Sequence, residues 1–269
     1  SYSVHAFMGF MGYAAAPVVV DFLRVNWDWH TATMIVGLGG LVMAFTLFIG
    51  RSFLTSEDRQ VGVSANVEQE GPIGSKVLFK SGAILMLFAF YFVVAVAGTG
   101  ITQFSTSALP LLYGVDVSQA SRALFVYLMG ISLGVLVGGV IADRRGRLDV
   151  MASIGYLVAS TLMIVVSLSW FPFLFVIGAF FVGGLMTGAV FPSRDLMVRK
   201  ISHKRSTGKA FGFVNSGFGY GGMIGPPIYG AIMDTGFIQG VYLTSAAIMM
   251  LAIVTAIAAS ILVHSKVSV

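Results

Sequence analysis

The chain has 269 residues, of which 57% are hydrophobic and only 10% are charged, and its formal net charge is +5. Soluble domains have about 25% charged residues, and a mean hydropathy of +0.91 leaves more apolar surface than a soluble fold can bury. The composition therefore excludes a soluble fold. The basic residues lie in short loops between apolar segments, which argues against a nucleic-acid partner, and the lack of cysteine excludes disulfides and thiolate metal sites.

Apolar runs of about 20 residues recur along the whole chain, and a helix of that length spans the roughly 30 Å hydrocarbon layer of a bilayer. Barrel strands would instead alternate apolar and polar residues over about ten positions. We therefore predict an all-α, polytopic membrane helical bundle with about eight transmembrane helices. The predicted spans are 4–22, 31–49, 83–108, 123–141, 151–169, 173–190, 211–233 and 241–263.

The positions of the basic residues predict the orientation. If the first span runs outward, only Arg24 and Arg122 of the sixteen Lys and Arg residues fall outside the cell. We therefore expect an integral protein of the cell (inner) membrane with a cytoplasmic C-terminus. The long polar connection at 51–80 is interpreted as a cytoplasmic linker, which separates two helices at 1–50 from a six-helix half at 81–269.

Two spans carry glycines at every fourth position, which places these glycines on one stripe where another helix can approach closely. They are Gly130, Gly134 and Gly138 in the fourth span and Gly217, Gly221 and Gly225 in the seventh. We predict a helix-packing seam along each stripe. Pro226 and Pro227 follow the second stripe and are expected to bend or break that helix, because proline removes a backbone donor.

The segment GVIADRRGR at 139–147 lies in the predicted cytoplasmic loop after the fourth span. Gly146 permits a tight turn there, and Asp143 can accept charge-assisted hydrogen bonds from Arg144 or Arg147. The segment resembles the loop signature of the major facilitator superfamily, although Leu148 stands where that family usually has Lys or Arg. The alternative interpretation is an ordinary basic cytoplasmic loop.

The glycine-rich run from Gly9 to Pro17 resembles the fifth helix of the same family. The resemblance implies that the eight spans match family helices five to twelve, in a carrier built from two six-helix halves. Family helices one to four would then be absent from this chain, and the missing N-terminal helices of the same carrier are expected partners, beside a small-molecule substrate and the lipid bilayer.

The resemblance also implies that the third span lines the substrate cavity. Polar groups deep in a span must find a partner or line such a cavity. Gln103 is therefore the first candidate for a substrate hydrogen bond, with Thr102 beside it, and glycines with Pro110 predict an irregular helix at this point. Asn215 and Tyr127 are second candidates, although Asn215 is as well explained by bonding between helices.

Arg194 and Asp195 lie at the end of the sixth span. We expect them to pair with the loop that contains Asp143 and Arg147 as an inner gate, or to form a solvated helix end. They are not expected to pair with each other, because neighbours on a helix point apart. Tyr91 is interpreted as an anchor at the membrane interface.

These observations favour a secondary carrier that moves a small solute, such as an organic anion or metabolite, by alternating access. The alternatives are a drug efflux carrier of the same fold and a non-transporting membrane receptor or assembly protein. No cofactor or metal is expected. An enzyme is not expected either, because the GxSxG pattern at 130–134 lies inside a span without the strand-to-helix turn that it needs.

Overall fold

The structure is a computed structural model that describes the backbone at 2–50, 81–145, 148–201 and 207–267, and side chains at 7–50, 81–142, 149–199 and 208–262. Within these ranges the chain forms eight α-helices and no strand, which confirms the predicted fold class. The helices are α1 Tyr2–Asn26, α2 Trp29–Ile49, α3 Gly82–Tyr113, α4 Val117–Arg145, α5 Leu148–Ser167, α6 Phe173–Ile201, α7 Thr207–Asp234 and α8 Gln239–Val267.

Seven of the eight described helices are long and apolar enough to cross a membrane. The exception is α7, which forms the predicted helix but has no stretch of the required apolar content, because it contains eight glycines, two prolines and Asn215 within 28 residues. A helix of this composition gains less from contact with lipid than from contact with other helices. The six-helix part of the chain therefore contains one helix that depends on protein neighbours.

The chain divides into two compact units, Val18–Pro72 and the larger Ser1–Pro17 with Ile73–Val269. In the larger unit, α3 packs against α4, α7 and α8, while α6 packs against α4 and α5, and α5 against α8. The core of this unit contains five buried tyrosines as well as many small aliphatic side chains. The hydroxyl groups of these tyrosines bring polar atoms into an apolar bundle.

The smaller unit contains the last part of α1, from Val18 to Asn26, and all of α2. Asp28 caps the first turn of α2 by accepting a 2.8 Å hydrogen bond from the backbone N–H of Thr31. Hydrogen bonding to Thr31 holds the pKa of the Asp28 carboxyl below its usual range. The side chains of α2 are almost all apolar and exposed, with Ala32 buried, which suits a helix that meets lipid or further helices.

The glycines of α4 lie against the backbone of α6. A methyl group at Gly134 would collide with the carbonyl oxygen of Leu185 and lie 2.9 Å from the amide nitrogen of Ala189. From the opposite side, Gly184 of α6 faces the carbonyl of Tyr127 in the same way. The two helices therefore touch backbone to backbone, which only residues without a side chain permit.

A second close approach joins α7 to α3. A methyl group at Gly217 would lie 2.6 Å from the carbonyl oxygen of Phe88, and one at Gly225 would lie 2.6 Å from the Thr99 hydroxyl oxygen. Gly221 lies between them and faces the carbonyl of Phe92. The three glycines at every fourth position thus face one neighbouring helix.

The expected irregularity of the third helix is wrong, since α3 continues without interruption from Gly82 to Tyr113. The hydroxyls of Thr99 and Thr102 each donate a 2.9 Å hydrogen bond to the carbonyl four residues earlier, so they are satisfied inside the helix. Pro110 falls in the last turn, where the helix is about to end at Gly114. Likewise, α7 is not broken at Pro226 and Pro227 but runs on to Asp234.

Substitution of Gly134 by alanine is expected to lower the free energy of unfolding by about 1–3 kcal/mol, because backbone on both sides of the seam must move to admit the new methyl group. The measurement is thermal unfolding of the protein in detergent. Gly178→Ala is the matched control, because Gly178 lies on α6, the partner helix of the seam, and has no neighbour near the added methyl group. Equal stability of the two variants would contradict the seam.

Candidate substrate-binding site

A cavity of about 510 Å³ lies in the larger unit, with walls from the first half of α1 and from α3 to α8. Ligand sites in proteins commonly have volumes of about 300–1,000 Å³. Much of the wall is aromatic or aliphatic: Phe10 and Phe191 face each other with ring centroids 5.3 Å apart, and Phe218 and Met249 add further apolar surface. The cavity therefore suits a small organic molecule.

All four of the predicted substrate residues line this cavity, although they come from three helices. Gln103 and Thr102 come from α3, Tyr127 from α4 and Asn215 from α7. Gln103 and Asn215 are exposed, and no hydrogen bond joins their amides to any described residue. Each amide can both donate and accept, so both are available to a ligand.

Thr102 and Tyr127 contribute differently from the two amides. The Thr102 hydroxyl donates its proton to the carbonyl of Gly98, so only its oxygen lone pairs remain for a ligand. Tyr127 is buried, with 1% of its surface exposed, and its hydroxyl interacts with the side chain of Thr187. Tyr127 therefore forms part of the wall and presents its ring more than its hydroxyl.

Arg194 and Asp195 do not form a solvated helix end, because their side chains are only 12% and 23% exposed. The expectation that these neighbours point apart is also wrong. The Nε–H of Arg194 donates to Oδ1 of Asp195 at 3.3 Å, because the long arginine side chain can turn back along the helix. Tyr91 is not an interface anchor: it is buried and its hydroxyl donates to the same oxygen at 2.8 Å.

The guanidinium of Arg194 contacts two aromatic rings. Its central carbon is 4.2 Å from the ring centroid of Tyr91 and 4.4 Å from that of Phe191. Stacking of this kind stabilises a cation that has lost its water. Arg194 lines the cavity, and it is the one charged side chain among the described residues of the wall.

The loop residues proposed for the inner gate lie outside the described side chains. This applies to the side chains of Asp143 and Arg144 and to the whole of Gly146 and Arg147. Among the described residues, no cluster of histidine, aspartate or glutamate is arranged to hold a metal ion.

Tyr91 and Tyr156 are site residues that the sequence analysis did not select. Tyr156 of α5 lines the cavity and is fully buried. The available signal is a tyrosine inside an apolar span of a chain in which another helix carries the pair Arg194-Asp195. This signal does not identify Tyr91 and Tyr156, because the faces that α3 and α5 turn inward depend on how the helices pack.

A polytopic helical bundle with an internal cavity for an organic molecule is the architecture of membrane carriers. Residues 91–268 match the Major Facilitator Superfamily, and the chain belongs to this family. It is also similar to the fosmidomycin resistance protein of Escherichia coli (strain K12), with 27% identity over 244 residues that cover 90% of this chain and 56% of that protein. The chain thus spans about half the length of this relative.

Substitution of Tyr91 by phenylalanine is expected to lower the free energy of unfolding by about 1–3 kcal/mol, because the Asp195 carboxylate loses a hydrogen bond in a largely buried place. Thermal unfolding in detergent measures the change. Tyr220→Phe removes a hydroxyl from an exposed tyrosine and is the control. Unchanged stability of the Tyr91 variant would show that the carboxylate does not need this donor.

Proposed function

We propose that this protein is a secondary active transporter that moves a small solute across the membrane by alternating access. The observation that supports this best is the cavity, which is lined by the amides of Gln103 and Asn215 from two helices and by many apolar side chains. Such a site binds an organic molecule loosely enough to release it, through a few directed hydrogen bonds and a large apolar contact. Membership of the superfamily supports the same mechanism.

Efflux of a drug is a second candidate, and the relative supports it. That protein is named for resistance to fosmidomycin, and its similarity to this chain covers 244 residues. Removal of a drug from the cell is one way in which a membrane carrier gives resistance. The aromatic residues of the cavity wall, such as Phe191 and Phe218, are compatible with a drug-sized ligand.

The orientation belongs to the proposal as well. Fourteen of sixteen Lys and Arg residues lie in segments that would face the cytoplasm, with Arg24 and Arg122 as the exceptions. We propose an inner-membrane protein with a cytoplasmic C-terminus and a cytoplasmic linker at 51–80 between structural halves. We also propose that further helices of the same carrier accompany those described here. An inner gate would join Arg194 and Asp195 to the segment at 143–147.

The orientation predicts which ends of α7 are accessible from each side. Lys209 in the first turn of this helix and Thr235 directly after its last residue are both exposed, about 39 Å apart at 1.5 Å per residue. Because the chain has no cysteine, single cysteines can be introduced without background. Thr235→Cys is expected to react with an impermeant maleimide in intact cells, and Lys209→Cys only after the membrane is opened. The reverse pattern would overturn the orientation.

Transport is tested by counterflow in vesicles that contain the full-length protein. Labelled fosmidomycin outside is expected to accumulate transiently in vesicles loaded with unlabelled fosmidomycin, since only a carrier that alternates between two faces exchanges solute in this way. Gln103→Leu and Asn215→Leu are each expected to raise the half-saturating concentration roughly 2- to 10-fold, the effect of one lost hydrogen bond.

Gln239→Leu is the control for the glutamine variant, because Gln239 is exposed at the start of α8 and does not line the cavity. Its half-saturating concentration is expected to equal that of the unchanged protein. Binding of fosmidomycin without counterflow would contradict transport and favour a receptor. Counterflow that is insensitive to both cavity variants would place the substrate elsewhere.

A further inference from the structure

Two polar atoms at the cavity wall are buried and have no hydrogen-bond partner among the described residues. They are Nη1 of Arg194 and the hydroxyl oxygen of Tyr156, and both residues line the cavity. A buried donor without a partner is costly, and a charged one more so. Two such atoms in the wall of one cavity indicate that a ligand completes their hydrogen bonding.

Part of the Arg194 guanidinium is already engaged. Nε–H is bound to Asp195, and the rings of Tyr91 and Phe191 both contact the guanidinium. Nη1 carries two N–H donors and has no partner among the described residues, so a ligand can bind along that edge. Approach along an edge is the geometry in which arginine binds oxyanions.

The charges around the cavity favour an anion. Arg194 is the one charged side chain among the described residues that line it, and Asp195 is not part of the wall. The Asp195 carboxylate already accepts bonds from Arg194 and Tyr91 on a single oxygen. A bound cation would face arginine, whereas an oxyanion would meet unsatisfied donors.

Arg194 and Tyr156 line the same cavity and interact electrostatically with each other, and a chain of aromatic contacts also links them. The Tyr91 ring beneath Arg194 contacts Phe90 at 6.2 Å between centroids, and Phe90 contacts the Tyr156 ring at 6.0 Å. The hydroxyl of Tyr156 can donate to the same oxyanion that the arginine edge binds. Both polar atoms are shielded from water, so the ligand reaches them by turning side chains that already border the cavity.

We propose that Arg194 and Tyr156 form a subsite for the oxyanion of a small organic acid, either a carboxylate or a phosphonate, whose apolar body lies against the aromatic wall. This inference rests on the proposed transport function and names its substrate class. The amides of Gln103 and Asn215 then bind polar groups at other points of the same molecule.

The test compares ligands of similar shape that differ in charge. The unfolding temperature of the full-length protein in detergent is measured with benzoate, with phenylphosphonate and with benzamide, which is neutral and nearly isosteric with benzoate. The acids are expected to raise the unfolding temperature at concentrations where the amide has no effect. Phenylphosphonate and benzoate together show whether a tetrahedral or a planar oxyanion fits better.

Arg194→Gln is expected to weaken binding of the acids at least about tenfold, the effect of losing a charge-assisted hydrogen bond. Arg122→Gln is the matched control, because Arg122 is an exposed arginine of α4 away from the cavity wall. Since Arg194→Gln also removes the partner of Asp195 and can impair folding, Tyr156→Phe is the second variant.

Tyr156→Phe separates ligand binding from a structural role. It removes a hydroxyl that has no partner in the described protein, so the unfolding temperature without ligand is expected to stay the same or rise. Binding of the acids is nevertheless expected to weaken severalfold. A residue that only supported the fold would show the opposite pattern, with lower stability and unchanged binding.

The outcomes separate this subsite from transport itself. Equal effects of benzoate and benzamide, no effect of any acid, or undiminished binding in both variants would overturn the subsite, even where counterflow is observed. Acid-specific stabilisation that both variants weaken would establish the subsite, and the absence of counterflow in the same preparation would then count against transport alone.

Discussion

The wall of the cavity depends on the close approach of helix backbones through glycine. Where α4 meets α6, Gly184 and Gly188 lie against the backbone of Tyr127 and Ile131, and both of the latter residues line the cavity. A larger residue at either glycine would move the wall as well as the seam. Packing along the seam therefore sets the shape of the site, even though the glycines do not contact the ligand.

The second seam acts on the opposite part of the wall. Gly221 and Gly225 of α7 lie against Ala95 and Thr99 of α3, which again are cavity residues. Lipid provides little hydrophobic drive for helices to associate, so packing contacts of this kind supply much of the adhesion. The contacts that hold the bundle together and those that shape its cavity are thus largely the same.

Sequence periodicity predicts the helices and both seams well, because apolar length and a four-residue glycine spacing are local properties. It also directs attention to Gln103 and Asn215, since an amide inside a span needs a reason to be there. The roles of Tyr91 and Tyr156 were not predictable in the same way. Nearly every face of these helices is apolar, so the sequence does not show which tyrosine turns inward and which, like Tyr220, stays exposed.

The interaction between Arg194 and Asp195 is a second feature that the sequence pattern does not predict. Spacing rules describe where Cβ atoms point, but an arginine side chain is long enough to turn back and reach its neighbour. It does so here because aromatic rings around the guanidinium leave little water for it to bind instead. The pair can exist at this depth because Tyr91 supplies another donor to the carboxylate. Burial of the pair is favourable only with such additional hydrogen bonds, so the tyrosine is part of the reason that a charge can stand at the cavity wall.

The low hydropathy of α7 follows from its contacts with the cavity and with α3. Asn215 and Gly222 lower it and also line the cavity, while Gly217 and Gly221 lower it and form the seam with α3. A helix that was apolar on every side would be more stable in lipid but would leave the cavity without its amide and α3 without its close neighbour. The least membrane-like helix of the bundle is therefore one whose composition is set by the site and by protein contacts rather than by lipid.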